Sequence, residues 1–477
     1  MNEQPARRDI KLGVALIPVL FLIGALALVI SVYHLSPHMP LIAAAGVAGI
    51  VAMFHGISWK EVQDGMVHGI TLAMSAILIL MVVGTMIGTW ILGGVVPAMI
   101  FYGLKVLSPG IFLVATMIIC SIVSLGTGSS WSTAGTVGVA LIGVGSALGI
   151  PLPIVAGAII SGAYFGDKMS PLSDTTNLAP AVAGTDVFSH VRHMVYTTAP
   201  GYLIALGLYG IIGLRYAGGH LDTSQIDVML QTMQNTFVVH PALLLPPALV
   251  IVMVVKKIPP LPALLGGTVL GGILAMLIQS STLADVIAAA HSGYVSQTGV
   301  PAVDDLLTRG GLMSMMETVA LIMCALCFGG IMERTGMLEA IARSLLKMVK
   351  GTGSLVAITI FSCIGMNAVA SDQYIAIVIP GRMYKNAYEK QRLHPKNLSR
   401  ALEDAGTLTS PLIPWNSCGA FMGATLGVNP LLYLPYAFMN LLNPVVSIFY
   451  GYTGITMEKL PDVADDEGPS AAAVSAT

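Results

Sequence analysis

The stretch "GDKMSPLSDTTN" (166–177) gathers Asp167, Lys168 and Asp174 among Ser170, Ser173, Thr175, Thr176 and Asn177, and no charge precedes it back to Lys105. Carboxylate, hydroxyl and amide oxygens are the hard donors that a sodium ion accepts. Pro171 removes a backbone donor and disfavours helix at Ser170, freeing carbonyls as further ligands; Gly166 is expected to loosen the turn before it. A carboxylate in apolar surroundings is costly unless paired, protonated or hydrated. Burial favours the protonated form and a bound cation the ionised one. One aspartate can then hold a proton or a sodium ion but not both, which is the simplest chemistry of ion exchange. Asp174, inside the break, is the leading carboxylate. The plainer reading pairs Lys168 with Asp167 or Asp174 in a static ion pair.

A second stretch, "EDAGTLTSPLIPWNS" (403–417), carries Thr407, Thr409, Ser410, Trp415, Asn416 and Ser417, with Pro414 where the first copy has Asp174. Glu403 and Asp404 precede its break; one reading sets them at the cytoplasmic surface facing Arg400. Two more polar patches interrupt apolar runs. "GTGSSWST" (126–133) offers Ser129 and its hydroxyl neighbours, and "GMNAVASDQ" (365–373) offers Asn367, Ser371, Asp372 and Gln373. Asp372 is the lone charge between Lys350 and Arg382 and is expected at the ion site. Glu317, with uncharged neighbours, joins the candidates, whereas Glu333 beside Arg334 reads as a surface pair. His55, His68, His190 and His193 read as polar residues at cytoplasmic helix ends. The five cysteines all lie in apolar runs and read as packing residues.

The surrounding elements must hold these groups in a membrane. The 477 residues are 55% hydrophobic and 10% charged, against roughly 25% charged in a soluble domain. The net charge of −2 excludes a nucleic-acid partner. Spans of about 20 apolar residues are expected at 12–33, 39–56, 70–92, 153–183, 195–214, 241–255, 258–279, 312–332, 401–427 and 430–451. The segments 111–149 and 354–388 have arms of about 14 apolar residues around a polar middle and read as re-entrant hairpins. The first run is too long for a secretory signal. The segments 93–110 and 280–310 are expected at the outer surface. Residues 1–11 and the tail at 457–477 are expected in the cytoplasm, the tail disordered.

Positive charge supports that orientation. Arg7, Arg8 and Lys11 lie at the start; Lys256 and Lys257, the 333–350 segment and the 385–400 loop are the basic connections, while 93–110 and 280–310 have one basic residue each. The halves also repeat. "SPL" at 170–172 recurs at 410–412, an offset of 240; Gly126 and Ser132 fall on Gly365 and Ser371 at 239; Gly94 and Ala98 fall on Gly336 and Ala340 at 242. The expected fold is therefore an all-α polytopic membrane protein. Two inverted repeats, 39–214 and 258–451, each hold a hairpin and a discontinuous helix, with 241–255 linking them.

"SGAYFGDKMSPLSDTTNLA" and "LSRALEDAGTLTSPLIPWNSCGAF" resemble the NhaC-type sodium/proton antiporter family over residues 12 to 452, and neither motif departs from the family pattern. The resemblance implies inverted repeats with hairpins and broken helices, and exchange of external protons for internal sodium at the bacterial inner membrane. One branch couples malate and proton uptake to sodium and lactate efflux. It sets Asp167, Asp174, Thr175, Thr176 and Asn177 at the first cation-site break, and Thr409, Ser410 and Asn416 at the second. The function expected is a sodium/proton antiporter, not an enzyme, with no cofactor beyond the transported ions. Its partners are membrane lipid, sodium and protons, and a homodimer is compatible with it. The alternative is a sodium-coupled exchanger of small carboxylates, for which no arginine stands near the expected midplane. The sequence has no intramembrane-protease motif and no phosphate loop for an ATP-driven pump, and a channel needs no inverted repeat.

Overall fold

Proline and glycine set most of the boundaries in the computed structural model, which describes residues 10–33, 35–217 and 223–460. Among them the regular structure is helical apart from two isolated β-bridges, Tyr294–Arg309 and Leu393–Lys459. Seven helices are long and apolar enough to cross a membrane, or up to nine if two bent pairs each count as one span. The chain is a multi-pass membrane protein. Its polarity is inverted accordingly: Leu20, Leu203, Val269 and Phe361 are exposed, whereas Asp167, Lys168, Asp372, Glu403 and Asp404 are buried.

The ten expected spans need revision. Residues 153–183 and 401–427 are the discontinuous helices expected, whereas His38–Phe54 is short for a span. The chain breaks at Ala73, so 70–72 end a separate helix, Trp59–Leu72, ahead of Met74–Leu92. The linking span at 241–255 is one limb of a pair bent by 96°, and 430–451 is bent by 60° after a 3-10 turn. Within 93–110, the helix Val95–Val106 buries Val95, Val96, Ile100 and Phe101. The helix Leu283–Ser292, within the expected outer segment 280–310, packs on Met74–Leu92, where a Cβ at Gly88 would lie 2.1 Å from the Ala289 carbonyl oxygen. Apolar length alone does not separate a span from a buried short helix.

The repeats follow one order. Met74–Leu92 turns at left-handed Gly94 into Val95–Val106; Met316–Arg334 turns at left-handed Gly336 into Met337–Leu346. Hairpin 1 follows (Pro109–Thr127 and 130–147), then broken helix 1 (Leu152–Met169 and Asp174–Ala183). In the second copy come hairpin 2 (Thr352–Val369 and Gln373–Lys390) and broken helix 2 (395–412 and Ser417–Leu426). The first arms have 19 and 18 residues, longer than the expected 14, because Gly126 and Gly365 continue their helices instead of ending them. The turns fall at Gly128 (φ 68) and Ser371 (φ 60), each followed by an extended helix cap, Ser129 and Asp372.

The packing supplies the inversion. Hairpin 1 lies in one apolar cluster with Leu113, Met117, Ile142 and Val144; hairpin 2 lies in a second with Leu355, Ile360, Ile377 and Tyr384. Broken helix 1 runs from the first cluster (Tyr164) to the second (Ala179). Broken helix 2 runs the other way, from Ala405 to Leu408 and Phe421. Antiparallel broken helices thus meet where the clusters abut, with a hairpin tip arriving from each side.

Of the expected cytoplasmic termini, residues 1–9 and 461–477 lie outside the described residues. Residues 457–460 are held in place, contrary to the expectation of a free tail: the His394 N–H donates to the Glu458 carbonyl at 2.9 Å, and the Leu460 N–H to that of Arg392 at 2.8 Å.

Candidate ion site

Broken helix 1 ends its first half at Ser170, whose backbone turns extended ahead of Pro171, and restarts after extended Ser173. The tip of hairpin 1 seats on this gap: a Cβ at Gly128 would lie 2.7 Å from Leu172. Gly166 is there for close approach and not to loosen a turn, since its Cβ would stand 2.2 Å from the backbone nitrogen of Leu125. The carbonyls freed by the break are largely claimed. Thr176 donates to those of Asp167 (2.8 Å) and Lys168 (2.9 Å), and the Asn177 amide to those of Pro171 (2.8 Å) and Ser173 (2.7 Å). Thr176 and Asn177 therefore brace the break.

The buried carboxylate in this repeat is Asp167, whereas Asp174, at the far edge of the break, is exposed. Ser130 of the hairpin tip donates to Asp167 Oδ2 at 2.5 Å, and Ser173 to Oδ1 at 2.6 Å; the Thr175 hydroxyl is 3.2 Å from that of Ser173. Carboxylate and hydroxyl oxygens from three elements converge there. Asp174, the first residue of its half-helix, has no hydrogen-bond partner among the described residues and faces the adjoining cavity of about 620 Å³. Asp167, Asp174, Thr175, Ser129 and Asp372 line that cavity, with Lys257 as the lysine on its wall.

Asp372 caps the second arm of hairpin 2: its Oδ1 accepts from the Tyr374 and Ile375 N–H groups at 2.8 and 3.2 Å. It stabilises the hairpin tip and also lines the cavity. Asn367, buried, donates to the Gly406 carbonyl (2.7 Å) and the Thr409 hydroxyl (3.1 Å), while Asn416 donates back to the Asn367 side-chain oxygen (3.1 Å). Ser410 donates to the Thr407 carbonyl at 2.7 Å. Asn367, Thr409, Ser410 and Asn416 form a bracing network behind the second break. Glu317 stands apart, in the first turn of Met316–Arg334, where its carboxylate accepts from Ser36 at 3.3 Å.

A profile of the Na+/H+ antiporter family matches residues 162–455. The chain is 41% identical over 438 residues to the Na+/H+ antiporter NhaC of Alkalihalophilus pseudofirmus, covering 92% of this chain and 94% of that protein. The chain belongs to the Na+/H+ antiporter family. It is also 40% identical over 452 residues to the malate-2H+/Na+-lactate antiporter of Bacillus subtilis, covering 94% and 96% of the two chains. To the arginine/ornithine antiporter ArcD of Halobacterium salinarum it is 38% identical over 465 residues, covering 97% and 96%. These relatives are named as transporters, and the family match takes in the break of broken helix 1 and the whole of broken helix 2.

Within this family member, two register assignments from sequence are corrected. Ser173 and Asn416 hold matching positions, each an extended residue immediately before a restarting helix, at an offset of 243; the offset of 240 instead aligned the two "SPL" triplets. Ser170 ends its helix whereas Ser410–Leu412 continue as a 3-10 turn, so the second break is displaced along the chain. The counterpart of Asp174 is then Ser417, not Pro414. At the hairpin tips Ser371 matches Gly128, not Ser132.

The sequence reading also missed a buried ion pair. Lys168 Nζ bonds Asp404 Oδ1 across the two broken helices, and Thr197 donates to the same oxygen at 3.0 Å. Lys168 does not pair with Asp167 or Asp174, and Glu403 and Asp404 are fully buried, not on the surface. Arg400 turns away to the C-terminal segment and donates to Thr456 at 2.8 Å. His190 and His193, near the start of Val187–Ala217, are buried against Ser399 (2.8 Å) and Asn397 (3.2 Å). Opposite signs 236 residues apart leave no local pattern, and Asp167 and Asp174 stood nearer to Lys168 in the sequence as partners.

Proposed function

We propose that this family member is a secondary active transporter that exports Na+ in exchange for H+ by alternating access. The observation that carries this reading is the buried Asp167 carboxylate, held by Ser130 and Ser173 where a hairpin tip meets a helix break, at the edge of an open cavity. A sodium ion there takes oxygens from Asp167, Ser130, Ser173 and Thr175 in place of its water. A proton on Asp167 removes the charge that holds the ion, so each displaces the other. Asp174 and Asp372 on the cavity wall draw cations to the site. With the basic connections inside, Lys257 marks the cavity mouth as cytoplasmic, both termini are cytoplasmic, and the protein sits in a bacterial inner membrane.

The second reading, exchange of a small organic acid with sodium, is favoured by a cavity larger than a bare ion needs and by the B. subtilis malate/lactate relative. Three carboxylates against one lysine on its wall make it a poor host for a dicarboxylate. The experiment is a sodium gradient across proteoliposomes holding the purified protein. Proton movement without organic acid is expected. Movement only on adding malate or lactate would replace this reading by the second.

A further inference from the structure

The last helix, Phe438–Thr453, ends at left-handed Gly454 (φ 77), and the chain turns again at Thr456 (φ 59). Residues 456–460 then lie back over the start of broken helix 2. Thr456 and Arg392 (φ 55), one on each side of the contact, are non-glycine residues in the left-handed region, a conformation that their surroundings must impose. Leu393 and Lys459 form the antiparallel pair at its centre. The His394 N–H bonds the Glu458 carbonyl and the Leu460 N–H that of Arg392, so hydrogen bonds flank the pair and its two residues face each other closely. Asn397 grips the same segment from the helix. Its amide donates to the Glu458 carbonyl at 2.7 Å, and its side-chain oxygen accepts from the Glu458 N–H at 3.2 Å. One turn on, buried Arg400 reaches the Thr456 hydroxyl at 2.8 Å and the Met457 sulfur at 3.3 Å, and Lys396 pairs with the Glu458 carboxylate.

The segment is built to hold and to part. None of residues 456–460 is buried, so hydrogen bonds and one exposed ion pair hold it more than apolar packing does. Such a contact opens locally without unfolding the core. What it grips leads to the ion site. Asp404, one turn beyond Arg400 on the same half-helix, is tied to Lys168, the neighbour of Asp167. Alternating access moves one bundle against another, and a segment that joins the end of Phe438–Thr453 to broken helix 2 restrains that movement. We propose that residues 456–460 are a latch on the first half of broken helix 2, closed while the cavity is open to the cytoplasm and released when the site turns to the other side. This inference rests on the proposed exchange by alternating access.

The test is a reversible lock. Antiparallel residues flanked by hydrogen bonds have Cα atoms about 4.5 Å apart, within the range that a disulfide spans. The full chain with Leu393→Cys and Lys459→Cys is oxidised in proteoliposomes, with wild type under the same oxidant as the control for its own cysteines. The locked protein is expected to bind radiolabelled Na+ but to lose sodium-driven proton movement, and to regain it on reduction. Movement at the wild-type rate with the bond formed overturns the latch. If the bond does not form, or the loss survives reduction, Asn397→Ala decides. Losing its two hydrogen bonds to Glu458 is expected to shift the balance of states about tenfold away from the closed latch. The readout is slower labelling of Leu172→Cys by a membrane-impermeant maleimide from the cytoplasmic side. An unchanged labelling rate overturns the latch. Wild-type protein without sodium-driven proton movement would instead defeat the proposed function.

Discussion

Lys168 and Asp404 form an ion pair with no solvent exposure, and it joins the first broken helix to the second. Lys168 lies just before the first break and Asp404 about two turns before the second, so the pair fixes how the first halves of the two broken helices face each other. Burying it costs desolvation that only its mutual attraction repays. Removing one partner is therefore worse than removing both. Lys168→Met is expected to destabilise the protein by about 3–5 kcal/mol. Lys168→Met with Asp404→Leu is expected to recover most of that. Thermal unfolding in detergent checks it, and a single variant as stable as wild type would show that the pair does not set the register.

Close approach of broken helix 1 to hairpin 1 gives a second expectation. A methyl group at Gly166 would collide with the backbone of the opposite arm at 2.2 Å, and backbone cannot swing aside as a side chain can. Gly166→Ala is expected to cost about 1–3 kcal/mol and to displace Asp167 from Ser130. Unfolding midpoints together with sodium affinity measure both effects; an unchanged affinity would mean that the tip follows the helix.

Much of this arrangement is legible in the sequence because backbone interruptions have few causes. Pro171, the positive-φ glycines Gly94 and Gly336, and the polar tips mark the breaks and turns almost where they occur. Side-chain orientation is less legible. Asp167 and Asp174 lie on opposite sides of one break, and only packing decides that Asp167 turns inward to Ser130 while Asp174 faces the cavity. Glu403 and Asp404 follow Arg400 in a way that reads as a solvated surface run; their burial depends on a helix more than 200 residues away.

The cavity leads to a labelling result. Leu172, exposed in the break, lines its wall together with Lys257. In Leu172→Cys, a membrane-impermeant maleimide is expected to react from the cytoplasmic side and to be slowed by sodium. Reaction from the opposite side alone would reverse the assigned orientation.

Outside the spans, Asp304 ties the loop before Met316–Arg334. The Thr298 N–H and hydroxyl bond its carboxylate at 2.7 Å each and hold it below the ordinary carboxylate range. A lowered value means stability present above the ordinary range and lost as pH falls through the lowered one. Amide exchange over residues 294–309 is expected to stay slow at neutral pH and to quicken only at distinctly acid pH. Equal exchange at both would remove Asp304 as the anchor.

The most direct test of the account sets Asp167→Asn beside Asp174→Asn and measures sodium-driven proton movement in proteoliposomes. Asp167→Asn is expected to abolish it, because the amide keeps the shape but holds neither the ion nor the proton. Asp174→Asn is expected to weaken sodium affinity while exchange persists. Full exchange by Asp167→Asn, with none by Asp174→Asn, would contradict the assignment of the buried carboxylate as the ion site.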